Sequence, residues 1–408
     1  MSKAKFARSQ KAAVQTLKGF RDITPEEALK RGRVLSLTKS VFKSYGFVPL
    51  ETPTLEYAEL LEGKYGEGEK LIYKFKDRGG REAALRYDLT VPLARFIAEN
   101  KGKLTLPFKR YQIGDVFRAE KPQAGRYREF TQVDVDTVGV DSALADAEIL
   151  AVFSTVLQLL GLQKFTIVIN DRNLFQSLPA EAVKILDKWD KIGESGVKEA
   201  LAKAKLDANK ILRQAQDKKP TPRLEEIFSL LNTFGIPQDL WEFNPLLARG
   251  LDYYTGMVFE VKVPNSTISI AGGGRYDNMI GIFTNEKIPA VGGSFGLDRL
   301  MSFVPKKTLS EIPFRPQVLI TVFSPDLLPQ TIELFDQVQA AGVETELYLD
   351  PQAKLDKQLK YADRKGVPYA LILGPEEAKA HKVTVKDLVK GTQKTLDKDA
   401  LLTLLKPQ

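Results

Sequence analysis

Along GRYREFTQVDVD, Gly125 to Asp136, the polar and apolar positions follow a period of two. An extended chain counted from Arg126 therefore puts Arg126, Arg128, Phe130, Gln132, Asp134 and Asp136 on one face, with Tyr127, Glu129, Thr131, Val133 and Val135 on the other. With FRAEKPQA before it, the stretch from Phe117 to Asp136 reads as a tight β-hairpin. Two readings of the mixed face stand side by side. It is a solvated side of an antiparallel sheet, or a row in which arginines, one aromatic ring and carboxylates hold an anion, a flat ring and a cation in turn.

Around this hairpin the pattern predicts further elements. TPEEALKRGRVLSLTKSVFKSYGF is a helix of about twenty residues, with Thr24 as N-cap, Pro25 at the first helical position, Glu27 completing the cap and Gly46 ending it. FVPLETPTLEY is strand-like but restricted by Pro49 and Pro53 to an edge or an irregular connection. YKFKDRGGREAALRYD is a hairpin around Gly79 and Gly80, and TVPLARFIAEN a helix. Asp141 is the expected cap of the largely apolar helix DSALADAEILAVFSTVLQLLG, and FTIVIN a buried strand.

From Asp171 to Trp241 the texture becomes helical and lysine-rich, as expected of a helical insertion. Strands return in GMVFEVKV and TISIAGGG, and VGGSFGLDRL passes from strand to helix. After the linker PKKTLSEIPFRP, the order strand, helix, strand, helix, strand predicts a parallel α/β domain. The expected architecture is thus an α+β domain over 1–315, an antiparallel sheet flanked by helices with the insertion at 171–241, followed by a parallel α/β domain over 316–408.

Composition narrows the chemistry. The 408 residues include no cysteine and one histidine, His381, which lies among lysines and acids and reads as a surface residue. Disulfides, thiol nucleophiles and multi-histidine metal sites are excluded. No apolar run is long enough to span a bilayer and no hydrophobic signal core opens the chain, so a cytoplasmic protein with no membrane contact is expected. The net charge of +8 favours polyanionic partners. The excess lies upstream, partly in the insertion, because the stretch from Gln317 onward is nearly neutral.

Four segments concentrate polar residues in apolar surroundings: LRYDLT, the opening hairpin, LARGLDYYTG, and AGGGRYDNMIG through GGSFGLDRL. Arg118, Arg126, Arg249, Arg275 and Arg299 are all arginine although lysine is plentiful, which suits forked recognition of phosphate. A local pairing of Arg249 with Asp252 is the plainer alternative. GGGRYD lacks the dinucleotide-binding spacing, and no phosphate-loop motif occurs.

These segments resemble the class II aminoacyl-tRNA synthetases. FRAE...GRYREF is similar to their motif 2, GGSFGLDRL to motif 3 and YGFVPLETPTLE to motif 1 with Pro53 at its proline; LARGLDYYTG and AGGGRYD resemble the two histidine motifs of the histidyl branch. The likeness runs from LKGFRDITP to LKYADRKGVPYALILG. It implies ATP-dependent activation of L-histidine, transfer to tRNA(His), Mg²⁺ with the ATP, and a homodimer through motif 1. Its nearest alternative is a synthetase-like regulatory subunit of ATP phosphoribosyltransferase, which binds histidine without charging tRNA.

Carried over residue by residue, the resemblance implies that Arg118 meets the ATP α-phosphate and the substrate carboxylate, with Arg249 opposite. Glu120 meets the adenine amino group; Phe130 and Arg299 sandwich the ring; Arg126 and Arg299 reach the γ-phosphate. Asp88, Thr90 and Gln132 form the α-amine site, Asp136 and Tyr254 hold the imidazole, and Tyr276 lines the pocket. Lys121 and Gln123 contact the tRNA acceptor end. The C-terminal domain resembles an anticodon-binding domain. No metal ligands are assigned, and Arg128 and Asp134 have no role. An acceptor and a hydroxyl suit the two ring nitrogens of imidazole, and a site that hydrogen-bonds its substrate discriminates by about 10⁴ or more without editing.

Overall fold

Thr24 caps the first helix, Pro25–Ser44, by accepting the Glu27 N–H at 3.3 Å, and Gly46 ends it at φ +81°. Val34, Val41 and Phe42 recur at helical spacing and are its buried side. In this computed structural model, which describes residues 14–122, 125–248, 253–266, 268–310 and 315–405, the chain divides into two units, Met1–Leu309 and Ser310–Gln408.

The first unit is built on β1 (Val48–Pro49), β2 (Leu55–Tyr57), β3 (Lys74–Lys76), β4 (Glu82–Leu85), β5 (Phe108–Phe117), β6 (Glu129–Val138), β7 (Thr166–Asp171), β8 (Trp241–Phe243), β9 (Met257–Lys262), β10 (Ala271–Arg275) and β11 (Ala290–Gly296). Eight of them form one sheet in the order β1-β5-β6-β11-β10-β9-β7-β8, while β2, β4 and β3 form a small antiparallel sheet. The large sheet is antiparallel from β5 to β7; only the edge strands β1 and β8 pair in parallel. Pro49 sits on such an edge, where a missing N–H costs no ladder bond.

One face of this sheet makes the main core. Val133 and Val135 of β6, Phe259 and Phe295 pack there with residues of the helices Pro25–Ser44 and Ala143–Leu159. The other face carries the alternate positions of β6 and is met by the cluster of the helix Thr90–Asn100, including Val91, Leu93, Tyr276 and Met279. Position on β6 thus sorts chemistry: Val133 and Val135 enter the apolar core, while Gln132, Asp134 and Asp136 line the polar side.

Three details depart from the sequence reading. The helix Ala143–Leu159 is capped by Ser142, whose Oγ accepts from Leu144 and Ala145, and not by Asp141, which instead pairs with Arg223. The hairpin of β5 and β6 is not tight, because β5 ends at Phe117 and β6 begins only at Glu129. Within 171–241, the helices Ala180–Leu186, Trp189–Lys203 and Ala208–Gln216 share their own small core, but Leu224, Ile227 and Leu231 of the helix Pro222–Thr233 belong to the main one.

The second unit has β12 (Val318–Ile320), β13 (Thr345–Leu347), β14 (Tyr369–Ile372), β15 (Lys382–Asp387) and β16 (Thr392–Asp397) in the order β13-β12-β14-β15-β16. The first three are parallel, with the helices Leu328–Ala340 and Leu355–Lys365 between them in sequence. The hairpin β15–β16 extends this parallel core on the antiparallel side, and the sequence reading did not include it. His381 is exposed, just before β15. Among the described residues no helix is long and apolar enough to cross a membrane.

Candidate active site

At the centre of the polar face Asp136 and Arg110 are cross-strand partners on β6 and β5. Arg110 is fully buried; its Nη2 lies 2.8 Å from Asp136 Oδ2 and donates to the Leu89 carbonyl at 3.2 Å. The Tyr276 hydroxyl donates to Asp136 Oδ1. Gly292 leaves room for that carboxylate, since a Cβ there would stand 2.0 Å from Asp136 Oδ1. Burial raises the Asp136 pKa, opposed by Arg110 and by the Tyr276 hydrogen bond.

Asp134, one step along the same face, is buried too. Its pKa is pushed up to about 7, chiefly by burial, with Arg110 opposing and Asp136 adding repulsion. Gln132 donates to Ser294 Oγ at 2.9 Å, so Ser294 occupies a motif 3 position with a hydroxyl that anchors the row. Gln132 Oε1 and Asp134 Oδ1 are buried and accept no hydrogen bond among the described residues.

Beside them lies the turn that precedes the helix Thr90–Asn100. Asp88 Oδ1 accepts from Tyr65 at 3.0 Å and from the Thr90 and Val91 N–H groups at 3.1 Å. Its Oδ2 is buried with no hydrogen-bond partner among the described residues. Burial raises the Asp88 pKa, with the Val91 N–H and Arg118 opposing. Tyr253 hydrogen-bonds the Thr90 side chain, and its ring meets Tyr254 at 4.8 Å and Tyr276 at 6.1 Å. Tyr254 also lies against Gly274, where a Cβ would stand 3.0 Å from its ring and 2.5 Å from the Met257 carbonyl.

Toward the β5–β6 connection the site becomes more open. Arg118 donates to the Tyr87 carbonyl at 3.2 Å, with its guanidinium 4.3 Å from the Tyr87 ring and 5.2 Å from that of Phe130. Glu120 and Arg126 form an ion pair with each other, and Lys121 is exposed. Arg128 does have a place: it donates to the Glu120 and Lys18 carbonyls, and its own N–H to the Gly19 carbonyl, tying the connection to the segment before the first helix. Arg299, on the helix Leu297–Met301, donates to the Ser269 carbonyl at 3.3 Å. Arg249 and Gln123 lie outside the described residues.

The structure therefore brings Asp88, Thr90, Gln132, Asp136, Tyr276, Arg118 and Phe130 onto one face or its immediate rim. Arg275 is removed from the phosphate set. It is buried and held by Asp146, at 2.6 Å, and Asp277, at 3.0 Å, so it is an internal ion-pair centre. Sequence reasoning missed Arg110, Tyr65 and Tyr253. The register of β5 on β6 was the signal for Arg110, because alternation on both strands puts it opposite Asp136. It also missed Arg31 and Arg21, which converge on Asp298, the residue before Arg299, at 2.6 and 2.5 Å.

A family model described as histidyl-tRNA synthetase matches residues 19–300, and one described as an anticodon binding domain matches 317–408. The histidine–tRNA ligase of Wolinella succinogenes is 38% identical, over 93% of this chain and 95% of its own length. That of Rhodopirellula baltica is 39% identical, over 92% and 93%. The histidyl-tRNA synthetase of Nostoc sp. PCC 7120 superposes with a TM-score of 0.80 at 31% identity, covering 96% of this chain and 98% of that one. A Bacillus halodurans structure whose name joins an ATP phosphoribosyltransferase regulatory subunit with histidyl-tRNA synthetase shares the fold at 23% identity and a TM-score of 0.71, over 86% of this chain and 96% of its own. Matches to both units, at this identity and over nearly the full length, place the chain in the histidyl-tRNA synthetase family.

Proposed function

We propose how this ATP-dependent ligase of histidine to tRNA divides its two steps among its residues. In the first, a carboxylate oxygen of histidine attacks the α-phosphorus of ATP, the α–β phosphoanhydride breaks, and pyrophosphate leaves. In the second, a terminal ribose hydroxyl of tRNA(His) attacks the adenylate carbonyl and AMP leaves. The histidine carboxylate is already ionised at pH 7, so the first step rests on alignment and charge stabilisation more than on a general base.

Asp88 Oδ2 and Gln132 Oε1, two buried acceptors without partners among the described residues, are the observation that carries this reading. A buried acceptor left unmade costs about 1–3 kcal/mol, and the α-ammonium of histidine supplies the donors. Asp136 accepts from the imidazole, with Tyr254 and Tyr276 on its walls. Arg118 reaches the α-phosphate and the carboxylate, and Arg249 takes the opposite side. Phe130 and Arg299 sandwich adenine and Glu120 reads its amino group. Arg126 leaves Glu120 for the γ-phosphate, which Arg299 also meets. Lys121 and Gln123 contact the acceptor end of the tRNA.

Magnesium enters with the nucleotide as MgATP. Among the described residues no group of three or more histidine, cysteine or acidic side chains could hold a metal ion, so no protein ligand set is assigned and no step is routed through one. Motif 1 supports a homodimer, which light scattering tests, and the tRNA substrate supports a cytoplasmic location.

Histidine-dependent ATP–pyrophosphate exchange followed by charging of tRNA(His) tests the reading. Exchange and charging together support it. Histidine binding without exchange would point to the regulatory-subunit alternative.

A further inference from the structure

Arg110 is not among the residues to which the reaction assigns a role, yet it is fully buried and central to the site. It spans two parts of the pocket that no strand pairing joins. One nitrogen, Nη2, donates to the carbonyl of Leu89, between Asp88 and Thr90 of the amine site, and lies beside Asp136 Oδ2 of the imidazole site. Its Nε and Nη1 have no hydrogen-bond partner among the described residues. A guanidinium so buried is costly unless opposite charge is held close. Asp136 is its closest carboxylate partner, and Arg110 is the main attraction opposing the effect of burial on both Asp134 and Asp136.

We infer that Arg110 is a positioning residue for histidine recognition: it fixes Asp136 against the Asp88–Thr90 turn, so that ammonium and imidazole are read at a set separation. The inference rests on the assignment of Asp136 to the imidazole. Arg110 itself touches no reacting atom in this account. The Tyr276 hydroxyl hydrogen-bonds the first oxygen of Asp136, and the second, which accepts no hydrogen bond among the described residues, has the Arg110 guanidinium as its ion-pair neighbour, so loss of Arg110 lets the carboxylate rotate or take up a proton.

The test is histidine-dependent ATP–pyrophosphate exchange on the full chain, with histidine and ATP varied separately, for Arg110→Met, Arg110→Lys and Asp136→Asn. Arg110→Met is expected to raise KM for histidine about tenfold or more, the usual scale for truncating one partner of a buried charge pair. Arg110→Lys, which keeps the charge but replaces the planar guanidinium with a point charge on a flexible stem, raises it about threefold. KM for ATP stays within about threefold in both. A merely structural role would lower the melting temperature and the active fraction while leaving both KM values alone.

Parent KM for histidine in either folded Arg110 variant overturns the inference; if Arg110→Met does not fold, Arg110→Lys decides. Asp136→Asn separates the two levels. Unchanged KM for histidine there removes the imidazole assignment itself, whereas a raised value there with parent values in the Arg110 variants removes only the role of Arg110.

Discussion

The two ends of the row that begins at Arg126 are built on different principles. At the Asp136 end the charges are buried and largely engaged, Asp136 by Tyr276 and Arg110 and Asp88 by Tyr65 and two backbone N–H groups, while Asp88 Oδ2 and Asp134 Oδ1 accept no hydrogen bond among the described residues. At the Arg126 end, Arg126 and Lys121 are exposed, and Arg126 pairs with the less exposed Glu120 at the edge that solvent reaches. Water cannot solvate a charge at the first end, so most partners are in place before substrate arrives and the acceptors left open are met by the substrate itself. At the second end water does that work, and the pair can open when a triphosphate offers a better contact.

Breaking the contrast at its centre should have the largest effect. Arg118→Ala removes the guanidinium that stands between both ends, stacked on Tyr87 and Phe130, and is expected to slow adenylate formation by about 10² or more, as for loss of one transition-state donor. Single-turnover formation of the adenylate, with melting as a fold control, checks this. Arg249→Ala should fall in the same range if it faces the α-phosphate from the other side.

Next comes the buried end. Gly292→Ala drives a methyl into Asp136 Oδ1 and within 2.6 Å of the Val135 carbonyl. It should cost about 1–3 kcal/mol of stability by overpacking and raise KM for histidine, seen together by denaturant titration and exchange kinetics. A variant with parent stability and parent KM would mean that Asp136 does not need its present position.

Asp134 sharpens the contrast through pH. Its folded pKa is about 7 and the ordinary value 3.8, so the native state binds more protons than the unfolded chain between those limits. Its contribution to stability is therefore present below about pH 4 and is lost as pH rises to about 7. Asp134→Asn should remove that loss: the variant gains on the parent as pH rises from 4 to 7, and the difference levels off above. Denaturant midpoints at matched ionic strength measure it, and a flat difference curve would contradict the burial argument.

The smallest effect belongs to the exposed end. Arg126→Ala should raise KM for ATP by less than about tenfold, with stability and KM for histidine unchanged, because a solvated pair contributes about 0–1 kcal/mol. A large loss of stability would show that the open end is as pre-built as the buried one.

How much of this the sequence held depended on the distance over which each partner acts. Alternation along β6 placed Gln132, Asp134 and Asp136 on one face, and the Thr24 cap set the first helix, because both are local patterns. The choice between a solvated face and a binding row was not local: it turned on Arg110, Tyr276 and Asp88, brought in by strand register and by a turn from elsewhere in the chain. Arg275 was misjudged for the same reason. Its partner Asp146 lies on a helix that the spacing of AGGGRYD cannot reveal. The Arg31–Asp298 pair, separated by most of the first unit in sequence, left no signal at all.

The central claim is that one face of β6 reads histidine at its buried end and ATP at its open end. Parallel KM determinations for both substrates in Asp136→Asn and Arg126→Ala, by ATP–pyrophosphate exchange, test it most directly. The prediction is crossed selectivity: Asp136→Asn raises KM for histidine by about tenfold or more and spares ATP, while Arg126→Ala does the reverse at smaller amplitude. Equal effects on both substrates in both variants would contradict it.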